Sequence, residues 1–206
     1  MMKIKLKVCG MKYPNNIRSL IKLRPDFIGF IFYPKSPRFA EPLDKSILKA
    51  VPPEVSKVGV FVNEPLTELV STVDKYKLNY VQLHGDEDAS YAANLKEHSI
   101  KIIKVFRISD SLPTDLYQFE DVADYFLFDT ATTDYGGSGK QFSWDVLSDL
   151  ETSTPFLLSG GIRLEDVAAV KQLSLDSFAG VDVNSKFEIS PGIKDIELIE
   201  KLKQAL

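Results

Sequence analysis

Eight short apolar runs, starting 20 to 30 residues apart, constrain this chain more than any other feature. They are IKLKV (4–8), FIGFIF (27–32), KVGVFV (57–62), YVQL (80–83), IKIIKVF (100–106), YFLFD (125–129), PFLL (155–158) and FAGVDV (178–183). Most intervals hold a segment with helical spacing: NNIRSLIKL, DKSILKAV, LTELVSTVDKY, SYAANLKEH, WDVLSDL, LEDVAAVKQL and DIELIEKLKQAL. The fifth interval, SLPTDLYQFEDV, carries a proline and only weak periodicity. Near-continuous apolar strands are what a parallel sheet covered on both faces requires, so the alternation predicts an α/β protein. Eight strand–helix units ending on a helix predict a closed (β/α)₈ barrel over residues 1–206, with an open doubly wound sheet as the alternative. No Pro/Gly/Ser-rich linker divides the chain, so one catalytic domain is expected.

Composition excludes several classes. A single cysteine cannot form an internal disulfide, no Asn-x-Ser/Thr sequon occurs, and the N-terminus has no signal-like apolar stretch, which makes the cytoplasm the expected compartment. The apolar runs fall far short of the roughly 20 residues that cross a bilayer. A formal charge of −4 without a Lys/Arg cluster argues against a nucleic-acid surface and for a small-molecule partner.

In a (β/α)₈ barrel the chemistry gathers where strands run out into the following loops. That rule selects Cys9 after strand 1, His84 after strand 4, Asp129 at the end of strand 6, Ser159-Gly160-Gly161 after strand 7, and Asp182, Asn184 and Ser185 around the end of strand 8. Two loops exceed the usual span of about 2–6 residues, YPKSPRFAEP and TATTDYGGSGKQ, and long loops on this face tend to be functional.

Each candidate has a plainer reading. A solitary cysteine is commonly a small buried hydrophobe, whereas a catalytic one must reach substrate and gain thiolate character from nearby positive charge. Asp129 follows YFLF and either caps the next loop or acts as a general acid whose pKa apolar surroundings have raised. With strands about 4.8 Å apart and tilted about 36°, the ends of strands 1 and 6 lie roughly 14 Å apart, leaving about 8 to 9 Å between inward side chains. One sugar ring fits there. LLSGGI before RLEDV reads as a strand, a glycine turn and a helix start, either a tight turn or a phosphate cradle, and Asn184 and Ser185 sit in the loop that commonly completes such a cradle. Arg38, among three prolines, is a solvated charge or a planar fork aimed at a carboxylate. GGSGK (136–140) is no P-loop, because Gln141 replaces the Ser/Thr after the lysine, and a lid or substrate-contacting loop suits it better. His84 and His98 lack metal-ligand spacing, so no metal is indicated, and Trp144 is read as packing.

Together, KVCGMK, DFIGFIFYPKSPRF, VGVFVN, VQLHGDE, FDT, GGSGKQFSW, LSGGI and GVDVNSKFEISPGIKD resemble the successive motifs of the phosphoribosylanthranilate isomerase family, in order and over almost the whole chain. The resemblance implies a (β/α)₈ barrel of the ribulose-phosphate-binding group in tryptophan biosynthesis. It implies the Amadori rearrangement of N-(5'-phosphoribosyl)anthranilate to 1-(2-carboxyphenylamino)-1-deoxyribulose 5-phosphate, with no cofactor, while the sequence leaves monomer and homodimer both open. It further implies Cys9 as base, Asp129 as acid and Arg38 as the hold on the anthranilate carboxylate. Gly160, Gly161, Asn184 and Ser185 would receive the phosphate, with Asp182 nearby as an orienting group. CGMK stands where many members read CGIT or CGLT, so a hydroxyl at position 12 is missing. A histidine-pathway isomerase performs the same chemistry on a similar barrel, but it resembles two half-barrels with Asp in place of Cys9, and this chain shows no obvious half-to-half repeat. A sugar-phosphate-binding protein without activity would need neither Cys9 nor Asp129.

Overall fold

The computed structural model describes residues 3–131 and 141–206. Eight parallel strands close into a barrel: β1 (Lys5–Val8), β2 (Phe27–Ile31), β3 (Ser56–Phe61), β4 (Tyr80–Leu83), β5 (Lys101–Ile108), β6 (Tyr125–Thr130), β7 (Phe156–Leu158) and β8 (Phe178–Val183). The closing seam pairs β1 with β8 over four residues, Lys5 with Gly180 through Val8 with Val183, which rules out the open sheet.

The intervals are less regular than their sequence spacing suggests. Helices α1 (Pro14–Lys22), α2 (Lys45–Lys49), α3 (Leu66–Tyr76), α4 (Ala89–Glu97), α5 (Val167–Gln172) and α6 (Ile196–Ala205) form as expected, though α2 is brief. Asp88 and Asp195 cap α4 and α6 by accepting from the backbone N–H of Tyr91 and Leu198, groups that would otherwise lack a partner. WDVLSDL, expected as a helix, is a 3₁₀ turn over Trp144–Asp149. Its Ser148 hydroxyl donates to the Asp145 carbonyl, and such side-chain bonds compete with helical pairing. The proline-bearing fifth interval likewise forms only a 3₁₀ turn, Leu116–Phe119. A hairpin of β9 (Glu188–Ser190) and β10 (Ile193–Lys194) follows β8.

Side chains alternate across each strand, so one set faces the helices and the other the barrel axis. Leu6, Val8, Ile28, Phe30, Phe126, Phe128, Phe156 and Leu158 belong to the outer core between strands and helices. Phe27, Val58, Ile103, Val105, Leu127 and Leu157 fill the inside. At the amino end of the strands Phe27, Tyr80 and Tyr125 meet edge to face, and Lys5 donates to the Tyr125 hydroxyl at 2.6 Å. This plug closes one end of the barrel and leaves space only at the other.

Candidate active site

At the carboxyl ends of the strands lies a cavity of about 670 Å³, ample for one sugar phosphate carrying an aromatic ring. Cys9, Arg38, Asp129, Gly160, Gly161, Asp182, Asn184 and Ser185 all line it. Residues far apart in sequence meet there because each follows the inward-facing positions of its own strand. The 33–42 loop supplies a wall through Tyr33, Lys35, Ser36, Pro37 and Arg38, whereas the glycines of GGSGK lie outside the described residues.

Cys9 continues β1, its N–H donating to the Val183 carbonyl at 2.9 Å before Gly10 turns the chain at φ +80°. Sequence reasoning sets the thiol at a strand end facing the barrel mouth, where solvent and charge can tune it. Instead it sits on the cavity floor, 4% exposed, and burial pushes its pKa up. The charge of Lys7 pulls the other way, Asp182 adds to the rise, and Lys194 opposes it. Lys7, two residues back on the same face of β1, is fully buried and pairs with Asp182 at 2.9 Å across the barrel seam, where the two residues are direct register partners. Burial disfavours the Lys7 charge, yet Asp182 and Cys9 outweigh it and hold the ammonium protonated. Gly29 faces the sulfur, and a Cβ there would lie 2.8 Å from it.

Asp129 stands across the cavity on β6. Desolvation raises its pKa to about 6, against a hydrogen bond from the Thr130 N–H at 2.8 Å. It therefore both caps its loop and keeps a proton into the range a general acid needs. Beside it, His84 Nε2 lies 3.7 Å from Oδ2, and its Nδ1 meets the Gln82 amide at 2.9 Å. Burial first, then the charges of Lys7, Arg107 and Lys104, lower His84 to about 4, so it is neutral at physiological pH and the contact is not an ion pair.

The rim carries the polar ends. Gly160 and Gly161 adopt φ +87° and +77°, and a Cβ on Gly160 would meet the Thr130 hydroxyl at 2.3 Å and the Thr130 backbone nitrogen at 2.8 Å. Only glycine fits so close to β6 at such a positive φ. Asn184, Ser185 and Lys186 adjoin them. Arg38, expected free to take a ligand carboxylate, is engaged: Nε and Nη2 grip Glu188 of β9, Nη2 to Oε2 at 2.7 Å. Its partner was invisible to sequence reasoning because the two are 150 residues apart.

Comparison with known proteins gives this cavity its family. The model of the N-(5'-phosphoribosyl)anthranilate (PRA) isomerase family matches residues 6–205. The chain belongs to that family. An isomerase of this name from Parabacteroides distasonis is 42% identical over 204 residues, covering 98% of this chain and 92% of its own. The crystal structure of phosphoribosyl anthranilate isomerase from Thermus thermophilus superposes with a TM-score of 0.86 at 26% identity, over 98% of both chains. A second PRA isomerase structure, in complex with reduced 1-(o-carboxyphenylamino)-1-deoxyribulose 5-phosphate, gives a TM-score of 0.80 at 29% identity, over 98% of this chain and 97% of that one.

Four buried or half-buried groups in or around this cavity escape sequence reasoning: Lys7, Gln82, Glu188 and Lys194. Lys and Glu seldom lie fully buried unless paired, so their identity points to the surface. The alternation KIKLKV held the clue for Lys7, because a β1 enclosed by helices leaves its charged positions no place but the barrel axis. Lys35 and Lys186, distant in sequence, join Arg38 around the opening and give an acidic chain a cationic mouth.

Proposed function

We propose that Cys9 and Asp129 carry the proton transfers of the PRA isomerase reaction, the isomerisation that serves tryptophan biosynthesis, within a single catalytic domain. The carrying observation is that a thiol just after β1 and a carboxyl on β6 line one cavity large enough for a sugar phosphate bearing an aromatic ring, the carboxyl with its pKa raised to about 6. Asp129 gives its proton to the furanose ring oxygen, and the ring opens to a Schiff base. Cys9 as thiolate then removes the C2' proton, giving an enolamine that tautomerises to the ketose. The cation of Lys7 beneath Cys9 supports the thiolate against burial.

Binding is divided between the two ends of the substrate. The phosphate lies on the backbone of Gly160, Gly161, Asn184 and Ser185, where left-handed glycines and Lys186 favour an anion. The anthranilate carboxylate lies at Arg38. Asp182 acts through Lys7, by holding its ammonium in place. The protein is a cytoplasmic enzyme, and no helix among the described residues is long and apolar enough to cross a membrane.

Replacing Cys9→Ala or Asp129→Ala tests the assignment. Each is expected to cut kcat by roughly 10²- to 10⁴-fold, while affinity for reduced 1-(o-carboxyphenylamino)-1-deoxyribulose 5-phosphate changes little. The reading is refuted by a variant that keeps most of its turnover in a fluorescence assay of substrate loss.

A further inference from the structure

Glu188 takes no part in the acid–base chemistry, yet its carboxylate is heavily bonded beside the cavity. Arg38 Nε donates to both of its oxygens at 3.0 Å and Nη2 to Oε2 at 2.7 Å. Lys194 Nζ donates to Oε1 at 2.7 Å, and the Gly192 N–H does so at 3.0 Å. The same Lys194 ammonium donates to Asn184 Oδ1 at 2.6 Å. Both Glu188 and Lys194 are sealed from solvent, at 4% and 0% side-chain exposure, while Arg38 keeps 14%. Asn16 of α1 exchanges two hydrogen bonds with the Lys194 backbone and ties the hairpin to the barrel. The chain Arg38, Glu188, Lys194, Asn184 thus runs from the carboxylate end of the cavity to its phosphate end. Gly10 lies beneath both termini, since a Cβ there would stand 2.8 Å from Arg38 Cδ and 2.7 Å from Asn184 Oδ1.

We infer that Glu188 is a positioning residue that presents Arg38 to the substrate carboxylate, with Lys194 fixing that anchor relative to the phosphate rim. The inference rests on the assignment of Arg38 given above. Glu188 occupies the Nε/Nη2 edge of the guanidinium and leaves Nη1 outside the pair. An arginine already held in one rotamer loses less freedom when a ligand arrives. The corner holds two cations and one carboxylate, a net single positive charge, which suits one incoming carboxylate. Burial alone would raise Glu188, but the hydrogen bonds of Arg38 and the charge of Lys194 hold its carboxyl below the usual range, so it stays an anion across the working pH. The opposite role, an internal competitor that must swing away, would strand the buried Lys194 without its partner, and breaking a buried pair in that way is strongly unfavourable.

Binding of reduced 1-(o-carboxyphenylamino)-1-deoxyribulose 5-phosphate and of its counterpart lacking the ring carboxyl, to the wild-type protein and to Glu188→Gln, separates these roles. Positioning predicts that the preference for the carboxylated compound falls by about tenfold in the variant, with the other compound bound as before and KM rather than kcat carrying the change in turnover. Because the readout is a ratio, any loss of folded protein cancels. A variant that binds the carboxylated compound as tightly as the wild type, or more tightly, overturns the inference. A wild-type protein that shows no preference between the two compounds overturns the role of Arg38 itself, and the inference with it.

Discussion

Burial has moved the proposed acid and the proposed base in the same direction. Asp129 is raised to about 6, and Cys9 is raised above the ordinary thiol value even with Lys7 beside it. A protonated Asp129 and a Cys9 thiolate therefore coexist in a small fraction of molecules that stays constant between the two pKa values. The expected profile of kcat/KM is a plateau with an acid limb near pH 6 and an alkaline limb above the ordinary thiol range, measurable by steady-state kinetics. Removing the cation should raise the thiol further, so Lys7→Met is expected to lower the plateau and move the alkaline limb to higher pH. A limb that stays in place would show that Lys7 does not act on the sulfur. Asp129 also affects folding. Its folded value lies above its ordinary 3.8, so the proton it binds stabilises the fold below about pH 4, and that contribution is lost as pH rises to about 6. An amide in its place never ionises. Asp129→Asn is thus expected to stabilise the protein at pH 7 by about 3 kcal/mol, with the difference fading by pH 4, as read from urea midpoints.

The strand ends set what each loop can hold. Gly160 at φ +87° leaves no room for a Cβ against Thr130 of β6, and the obstacle includes backbone. Gly160→Ala is expected to shift the rim and raise KM by roughly tenfold or more, with a smaller loss in kcat, because in the proposed binding mode the rim holds the phosphate in ground and transition states alike. The strands themselves were legible in the sequence, all eight of them, because enclosure on both faces forces long apolar runs such as FIGFIF. The 144–149 and 116–119 segments were not, or only weakly. Their helical spacing is short, and in the first the Ser148 hydroxyl bonds to the Asp145 carbonyl, which competes with a full helix. The strand-end rule also picked out residues that share one cavity. It could not find Glu188 or Lys194, since a hairpin after β8 brings them to Arg38 and no local pattern records a contact across 150 residues.

At the scale of the whole molecule the two ends of the barrel do different work. Phe27, Tyr80 and Tyr125 with Lys5 seal the amino end, so the interior opens only toward the loops. The inner layer then changes from apolar at Leu127 and Leu157 to ionised at Lys7 and Asp182 just below the thiol. A chain of net charge −4 thereby presents Lys35, Arg38 and Lys186 around its mouth to a substrate with anions at both ends. The most direct measurement is a crystal structure of this protein with reduced 1-(o-carboxyphenylamino)-1-deoxyribulose 5-phosphate bound. It should place the phosphate on Gly160, Gly161 and Ser185, the carboxylate on Arg38, and C2' about 3 to 3.5 Å from Cys9 Sγ, with Asp129 on the other side of the pentose chain. A compound lying with its phosphate at Arg38, or with both Cys9 and Asp129 out of reach of C2' and O4', would contradict the account.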